Sequence, residues 1–219
     1  MIKFKYNGFT LPEVLITLTV VGALAALVLP GLMKDLNNKA NMALLQGTVA
    51  NVSDAVQQEI IKKRAKYITD TDIYNNPSTF LKNHFDYSRD TNVFKTLNDE
   101  GKYVDVEYTS INQNVKGSSH PTGEIILKNG VYIGIRPDIN TLVIDLNGPE
   151  PPNIIGVDYF ALEIVRNTNT STGVRMGDVG AFRYDAKTDS QLKTECKNGE
   201  AAKCYALIER SGYDPNYLD

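Results

Sequence analysis

The chain has 219 residues, enough for one ordinary domain and an appendage. Its 23 Lys and Arg against 26 Asp and Glu give a formal net charge of −3, so the broad basic footprint of a nucleic-acid-binding protein is missing. Two cysteines exclude a disulfide-framed miniprotein and suit an exported protein with a single clip.

The first element is the stretch GFTLPEVLITLTVVGALAALVLPGL, Gly8–Leu32, preceded by a short head carrying Lys3 and Lys5. From Val14 to Met33 no residue is charged, and only Thr17 and Thr19 are noticeably polar. At about 1.5 Å per residue such a helix spans roughly 30 Å, the hydrocarbon thickness of a bilayer. A removable secretory signal would explain the basic start and the small residues at Ala23-Leu24-Ala25. However, the run outlasts the usual core of roughly 7–15 residues, and Glu13 interrupts its beginning. A plain anchor explains the length and leaves Glu13 unexplained.

A cut between Gly8 and Phe9 uses every odd residue. It removes the basic stub and gives Phe9 a free, largely positive α-amino group, one turn from Glu13. A carboxylate costs about 2.5–3.5 kcal/mol at the centre of a membrane helix and less near its end, so a positive partner makes it tolerable. Neutralisation within one molecule gives a stable monomer; between neighbours it sets the axial register of one helix against the next. A local role is compatible with this. Thr10-Leu11-Pro12-Glu13 fits a capping box with Pro in the first turn, a benefit of roughly 1 kcal/mol or less.

This segment resembles the cleavage/methylation segment of type IV pilins and type II secretion pseudopilins. The shared pattern is a short basic leader ending in Gly8, then Phe9-Thr10-Leu11, then Glu13 as fifth residue of the mature chain, then a long aliphatic run containing Gly22 and Pro30. Pro12 departs from it, since the family more often has an aliphatic residue there. The resemblance implies that the prepilin peptidase cuts at Gly8–Phe9 and N-methylates Phe9, and that Glu13 aids subunit docking. On the residues alone, Pro30 removes a backbone hydrogen bond and kinks or locally melts a helix, and Gly22 weakens it. Both would let a bundled helix bend.

Beyond Lys34 the pattern turns amphipathic. Leu36, Ala40, Ala43, Leu44, Leu45, Val49, Val52, Val56 and Ile60, with Ile61 a further candidate, fall largely at three- and four-residue steps, and Lys62-Lys63-Arg64 suits a helix C-terminus. One helix from about Phe9 to about Lys66 is expected, its second half packed on a head. Residues 69–98 are polar and broken, read as a loop with one or two short helices. Tyr103–Ser110 alternates as a strand would. In EIILKNGVYIGI two apolar runs flank Asn129-Gly130, the favoured two-residue hairpin turn. TLVIDL and YFALEIV supply further strands, and GAFRYD a weaker one. The expected fold is α+β, a long N-terminal helix packed on an antiparallel sheet of about four strands; the resemblance implies the same. The expected divisions are a leader at 1–8, a membrane or filament-core helix at 9–33, its amphipathic half at 34–66 and a head at 67–219.

Within the head, DLNGPEPPNIIGVDYF brings Asp145, Asn147, Asn153 and Asp158 together in sequence. Asp-x-Asn-Gly offers hard oxygen ligands around a tight turn, as calcium loops do, but the acid that an EF-hand needs at its twelfth position is here Gly156. Asn, Asp, Gly and Pro also build ordinary turns, so a structural turn and a calcium site both stay open. Cys196 and Cys204 enclose KNGEAAK; closing that loop contributes about 2–3 kcal/mol. Export favours oxidation over two free thiols, and zinc would need more ligands nearby. The resemblance implies the C-terminal disulfide loop of pilins. His84 and His120 belong to no recognisable nucleophile or metal motif, and no Walker loop or nucleophile elbow is present. Nothing marks an enzyme.

The expected function is therefore a pilin-like subunit, held in the bacterial inner membrane by one span with its head in the periplasm. It would be processed by prepilin peptidase and assembled with other pilin or pseudopilin subunits by a separate platform and ATPase. The alternatives are a pseudopilin of a type II secretion system and a membrane-anchored binding module for adhesion or DNA uptake. The acidic balance counsels against DNA binding by the whole head and leaves room for a local patch.

Overall fold

The computed structural model describes residues 10–91, 93, 95–116, 121–138, 140–168 and 175–218. Helix α1 runs Leu11–Lys63. A 3-10 turn at Ile68–Asp70 follows, then α2 (Asp72–Asn75), α3 (Pro77–His84), and the short strands β1 (Tyr87–Arg89), β2 (Lys95–Leu97), β3 (Tyr103–Asp105), β4 (Tyr108–Thr109) and β5 (Val115–Lys116). The longer strands are β6 (Gly123–Leu127), β7 (Tyr132–Arg136), β8 (Thr141–Asp145) and β9 (Tyr159–Ile164); β10 (Val179–Gly180), α4 (Asp189–Lys197) and α5 (Ala201–Arg210) close the chain. It divides into two compact units, Met1–Ala40 and Asn41–Asp219.

In the first unit, α1 starts with Pro12 in its first turn and continues through Pro30 as helix. In the second unit, Met42, Leu45, Val49, Val52 and Val56 are buried at alternating steps of three and four, one stripe on one face. They join the strand residues in a single hydrophobic core. The helix stops at Lys63, three residues before the expected end. Arg64 takes a left-handed φ of 50°. Arg64 N–H then donates to Ile61 O at 3.1 Å and Ala65 N–H to Ile60 O at 3.0 Å, the Schellman pair, here without the usual glycine.

The main sheet has the order β1-β6-β7-β8-β9-β10. Its centre is an antiparallel meander, β6 to β9, and short edge strands on either side extend it to six. The β6–β7 connection differs from the two-residue turn. Leu127 N–H donates to Val131 O at 2.8 Å and Gly130 N–H to Leu127 O at 3.0 Å, which leaves a three-residue loop. Gly130 carries the φ of 89° that such a loop needs at its last position. Tyr103–Ser110 lies outside the main sheet: β3 pairs with β2, and β4 with β5. Of GAFRYD only Gly180 is strand.

Every residue of β8 is buried, so both faces of the sheet centre are covered. Packing of α3 on β6 and of α5 on β9 contributes to this cover. The two C-terminal helices were not expected. Thr188 opens α4 with a full capping box: Gln191 N–H donates to Thr188 Oγ1 at 3.3 Å, and Thr188 N–H to Gln191 Oε1 at 2.9 Å. Helix α5 buries Cys204, Tyr205, Ala206, Leu207 and Ile208.

Candidate functional site

Two places carry chemistry, the start of α1 and the turn after β8. At the first, the large apolar side chains from Leu11 to Met33 are exposed on all faces, the least exposed being Val14 at 43 %. Thr17 and Thr19 do not leave their hydroxyls wanting. Thr17 donates to Val14 O at 2.9 Å and Thr19 to Leu15 O at 2.7 Å, within the same helix. Among the described residues, α1 is long and apolar enough to cross a membrane, and none of its most apolar window is buried.

Glu13 lies in the first turn. One of its oxygens, Oε2, accepts from Thr10 N–H and from Thr10 Oγ1–H, both at 2.8 Å. Half of the expected capping box is thus made, with the glutamate reaching back; the threonine hydroxyl donates to the carboxylate instead of accepting from the N3 amide. The carboxylate stays on the helix surface, held by Thr10. Gly8 and Phe9 lie outside the described residues. Residues 3–29 match the prokaryotic N-terminal methylation motif. This is the prepilin-type signal of type IV pilins and pseudopilins. No curated protein and no solved structure matches the chain. A prepilin-type signal marks a membrane-anchored structural subunit, processed by prepilin peptidase and assembled with others of its kind. A Cβ on Gly22 would meet nothing within 4 Å.

The second place is the turn from Asp145 to Asp158, where all four sequence-picked oxygens fall in one loop with different surroundings. Asp145 is fully buried. Its Oδ2 accepts from the Tyr108 hydroxyl and its Oδ1 from Asn147 N–H at 3.1 Å. Burial pushes its carboxyl well above the usual range, against the pull of these hydrogen bonds. Asp158 is 3 % exposed, and burial pushes it up to about 7. Its Oδ1 accepts from Ile154 N–H at 2.7 Å. Asn147 Nδ2 donates to Glu150 O and, at 3.2 Å, to Pro152 O. Three buried oxygens find no hydrogen-bond donor: Asn147 Oδ1, Asn153 Oδ1 and Asp158 Oδ2. Each such atom costs about 1–3 kcal/mol if nothing meets it. Among the described residues no three His, Cys, Asp or Glu side chains gather as a metal-ligating group.

Cys196 and Cys204 form a disulfide, both fully buried. It joins the end of α4 to α5, rather than closing an exposed surface loop. Gly156 sits against it: a Cβ there would lie 2.8 Å from Cys204 Sγ and 3.0 Å from Cys196 Sγ, and φ is 89°. The Tyr217 hydroxyl donates to Gly156 O, so the turn, the disulfide and the C-terminal segment are tied together. His84, which the sequence left without a role, faces buried Glu59, with Nε2 3.3 Å from Oε2; Glu59 also accepts from Asp72 N–H at 3.3 Å. This is a polar joint between α1, α2 and α3. His120 lies outside the described residues.

Proposed function

We propose that the chain is a structural subunit of a type IV pilus-type filament, trimmed between Gly8 and Phe9 and methylated on Phe9. Residues 9–33 hold it in the inner membrane until an assembly platform and its ATPase draw it into the polymer. There the apolar helices pack together, and Glu13 compensates the new amine of Phe9, its own or a neighbour's. Gly22 and Pro30 soften the buried helix so that the fibre can bend.

The observation that carries this reading is a single carboxylate, within the methylation motif, at the start of the otherwise uncharged and exposed apolar run of α1 that ends at Met33. Thr10 alone does not require a charge there. Glu13→Gln keeps an acceptor for Thr10 N–H and removes the charge, whereas Glu13→Ala removes both. If charge sets the register, both variants are cleaved and both lose most sheared surface fibre. Wild-type fibre yield with Glu13→Gln would reduce the residue to a helix cap. Wild-type polymer confined to the periplasm would assign the subunit to a secretion pseudopilus, and cleavage without polymer to an anchored binding module.

A further inference from the structure

Strand β10 ends at Gly180, where α5 takes hold of the chain that follows. Ala181 N–H donates to Glu209 Oε1 at 3.2 Å, Arg210 Nη2 donates to Tyr184 O at 2.8 Å, and Lys203 Nζ lies 4.4 Å from the centre of the Tyr184 ring. With residues 181–184 held there, a cavity of about 520 Å³ is left beside the end of β9, lined among others by Glu163, Arg166, Asn167, Phe182, Arg183 and Tyr184. That volume is in the range of small-ligand sites. Arg183 and Asn167 are exposed, so the cavity opens to solvent. One wall is rigid. Arg166 donates from Nε to Asn140 Oδ1 at 3.1 Å and from Nη2 to Asp138 O at 2.9 Å and to Pro137 O, and its guanidinium lies 5.4 Å from the centre of the Tyr74 ring. Asn140 takes a left-handed φ of 63° to do so, a conformation easier for glycine, which lacks the side chain that holds Arg166. All three acceptors are neutral, and Nη1 has no partner among the described residues. Among the same residues, neither Arg183 nor Glu163 makes a hydrogen bond or an ion pair. Each feels the other's charge without touching it; burial raises the Glu163 carboxyl above its usual range, against the pull of Arg183. The cavity thus gathers two guanidiniums with no carboxylate in contact and one half-buried carboxyl with no donor.

We propose that this cavity binds a carboxylate-bearing sugar ring, the unit of an acidic saccharide, with Arg183 and Arg166 on the carboxylate and Glu163 and Asn167 on the ring hydroxyls. Guanidinium is the side chain best matched to a carboxylate, since its parallel N–H groups can meet both oxygens. Two guanidiniums beside one carboxyl leave a single net positive charge, which suits a singly charged carboxylate better than a phosphate. A sugar hydroxyl donates to the Glu163 carboxyl whether or not that group is ionised; the ammonium of a zwitterion needs the full charge, and burial works against it. The Asn167 carboxamide both donates and accepts, as a hydroxyl does. Phe182 and Tyr184 add apolar ring surface for the C–H face of the sugar. An open cavity of this size takes one or two units at the end of a longer chain. This inference concerns the head alone and does not rest on the filament reading.

The test uses the full chain in detergent and ligand-observed NMR titration. The probes are methyl glucuronide, its neutral counterpart methyl glucoside, and glycylglycine as a zwitterion. Methyl glucuronide is expected to bind with a Kd on the order of 1 mM, as a single sugar in an open site does. Methyl glucoside is expected to bind about tenfold more weakly. Arg183→Gln and Asn167→Ala change exposed side chains, so both fold. Arg183→Gln is expected to bring the glucuronide down to the level of the glucoside, whereas Asn167→Ala weakens both sugars by the same factor. Lys102→Gln removes a surface charge that lines no part of the cavity and is expected to leave binding unchanged. The proposal is overturned if the two sugars bind alike, if neither binds, or if Arg183→Gln holds the glucuronide as the wild type does. It is overturned equally if glycylglycine binds more tightly than the glucuronide, which would give the cavity to a peptide chain end.

Discussion

Reducing the Cys196–Cys204 disulfide isolates a single physical contribution. The two residues are 8 apart, and on the chain-entropy model closing a loop of that size contributes about 2.5 kcal/mol through the unfolded state. For a unit of this size, 1 kcal/mol moves the melting temperature by about 2–4 °C, so reduced protein should melt about 5–10 °C below oxidised protein. The native helices should survive. Helix α4 has its own capping box, and α5 buries Tyr205, Leu207 and Ile208 independently of the sulfur bridge. Both sulfurs are fully buried, so reduction under native conditions should also be slow. The assay is circular dichroism melting with and without dithiothreitol, reading helix at 222 nm and tyrosine packing in the near ultraviolet. A fall below about 1 °C would refute the loop-entropy reasoning. Loss of helix at 20 °C on reduction would show that the bridge creates the C-terminal helices instead of tying them.

Further outcomes follow from the same contacts. Gly156→Ala places a methyl against both disulfide sulfurs at a φ of 89°, and should cost about 2–5 kcal/mol in denaturant unfolding. Phe80→Ala empties a fully buried ring site in α3, and should cost about 3–5 kcal/mol by the same measurement. Tyr108→Phe removes the hydroxyl that donates to buried Asp145, a loss of about 1–3 kcal/mol. Pro30→Ala restores a backbone donor inside α1 and raises helix propensity by about 3 kcal/mol, so fibres built from it should be stiffer in persistence-length measurements.

Much of the fold was legible because periodicity carries it. The uncharged run after Glu13, the stripe at Leu45, Val49, Val52 and Val56, and the four strands of the meander all follow from spacing alone, whereas Met42, which continues that stripe, was not picked out. Misses fell where a local rule had an uncommon solution. The end of α1 is made by Arg64 in the left-handed region, where the sequence signal would be glycine. Asn129-Gly130 marked the hairpin correctly, yet the loop takes three residues, because Gly130 serves as the left-handed closing position. Helices α4 and α5 were readable in principle. Thr188-x-x-Gln191 is a capping-box signal, and AAKCYALIER has strong helix formers, but the cysteine pair drew attention to a loop between them.

The candidate sites divide in the same way. Glu13 and the oxygens of the 145–158 turn could be chosen from sequence, since motif and turn chemistry are local. Which of those oxygens is already bonded could not, because the partner of Asp145 is Tyr108, 37 residues away. The same holds for buried Glu59 and half-buried His84, 25 residues apart. Neither residue type nor spacing announces a joint made by packing α3 against α1.

The account as a whole turns on the processing of residues 8 and 9. Intact-mass spectrometry of the chain recovered from cells with and without prepilin peptidase tests it most directly. With the enzyme, the account predicts a chain that begins at Phe9 and carries one extra methyl group; without it, the leader remains. A mature chain that still begins at Met1, or one cut near Ala25, would contradict it.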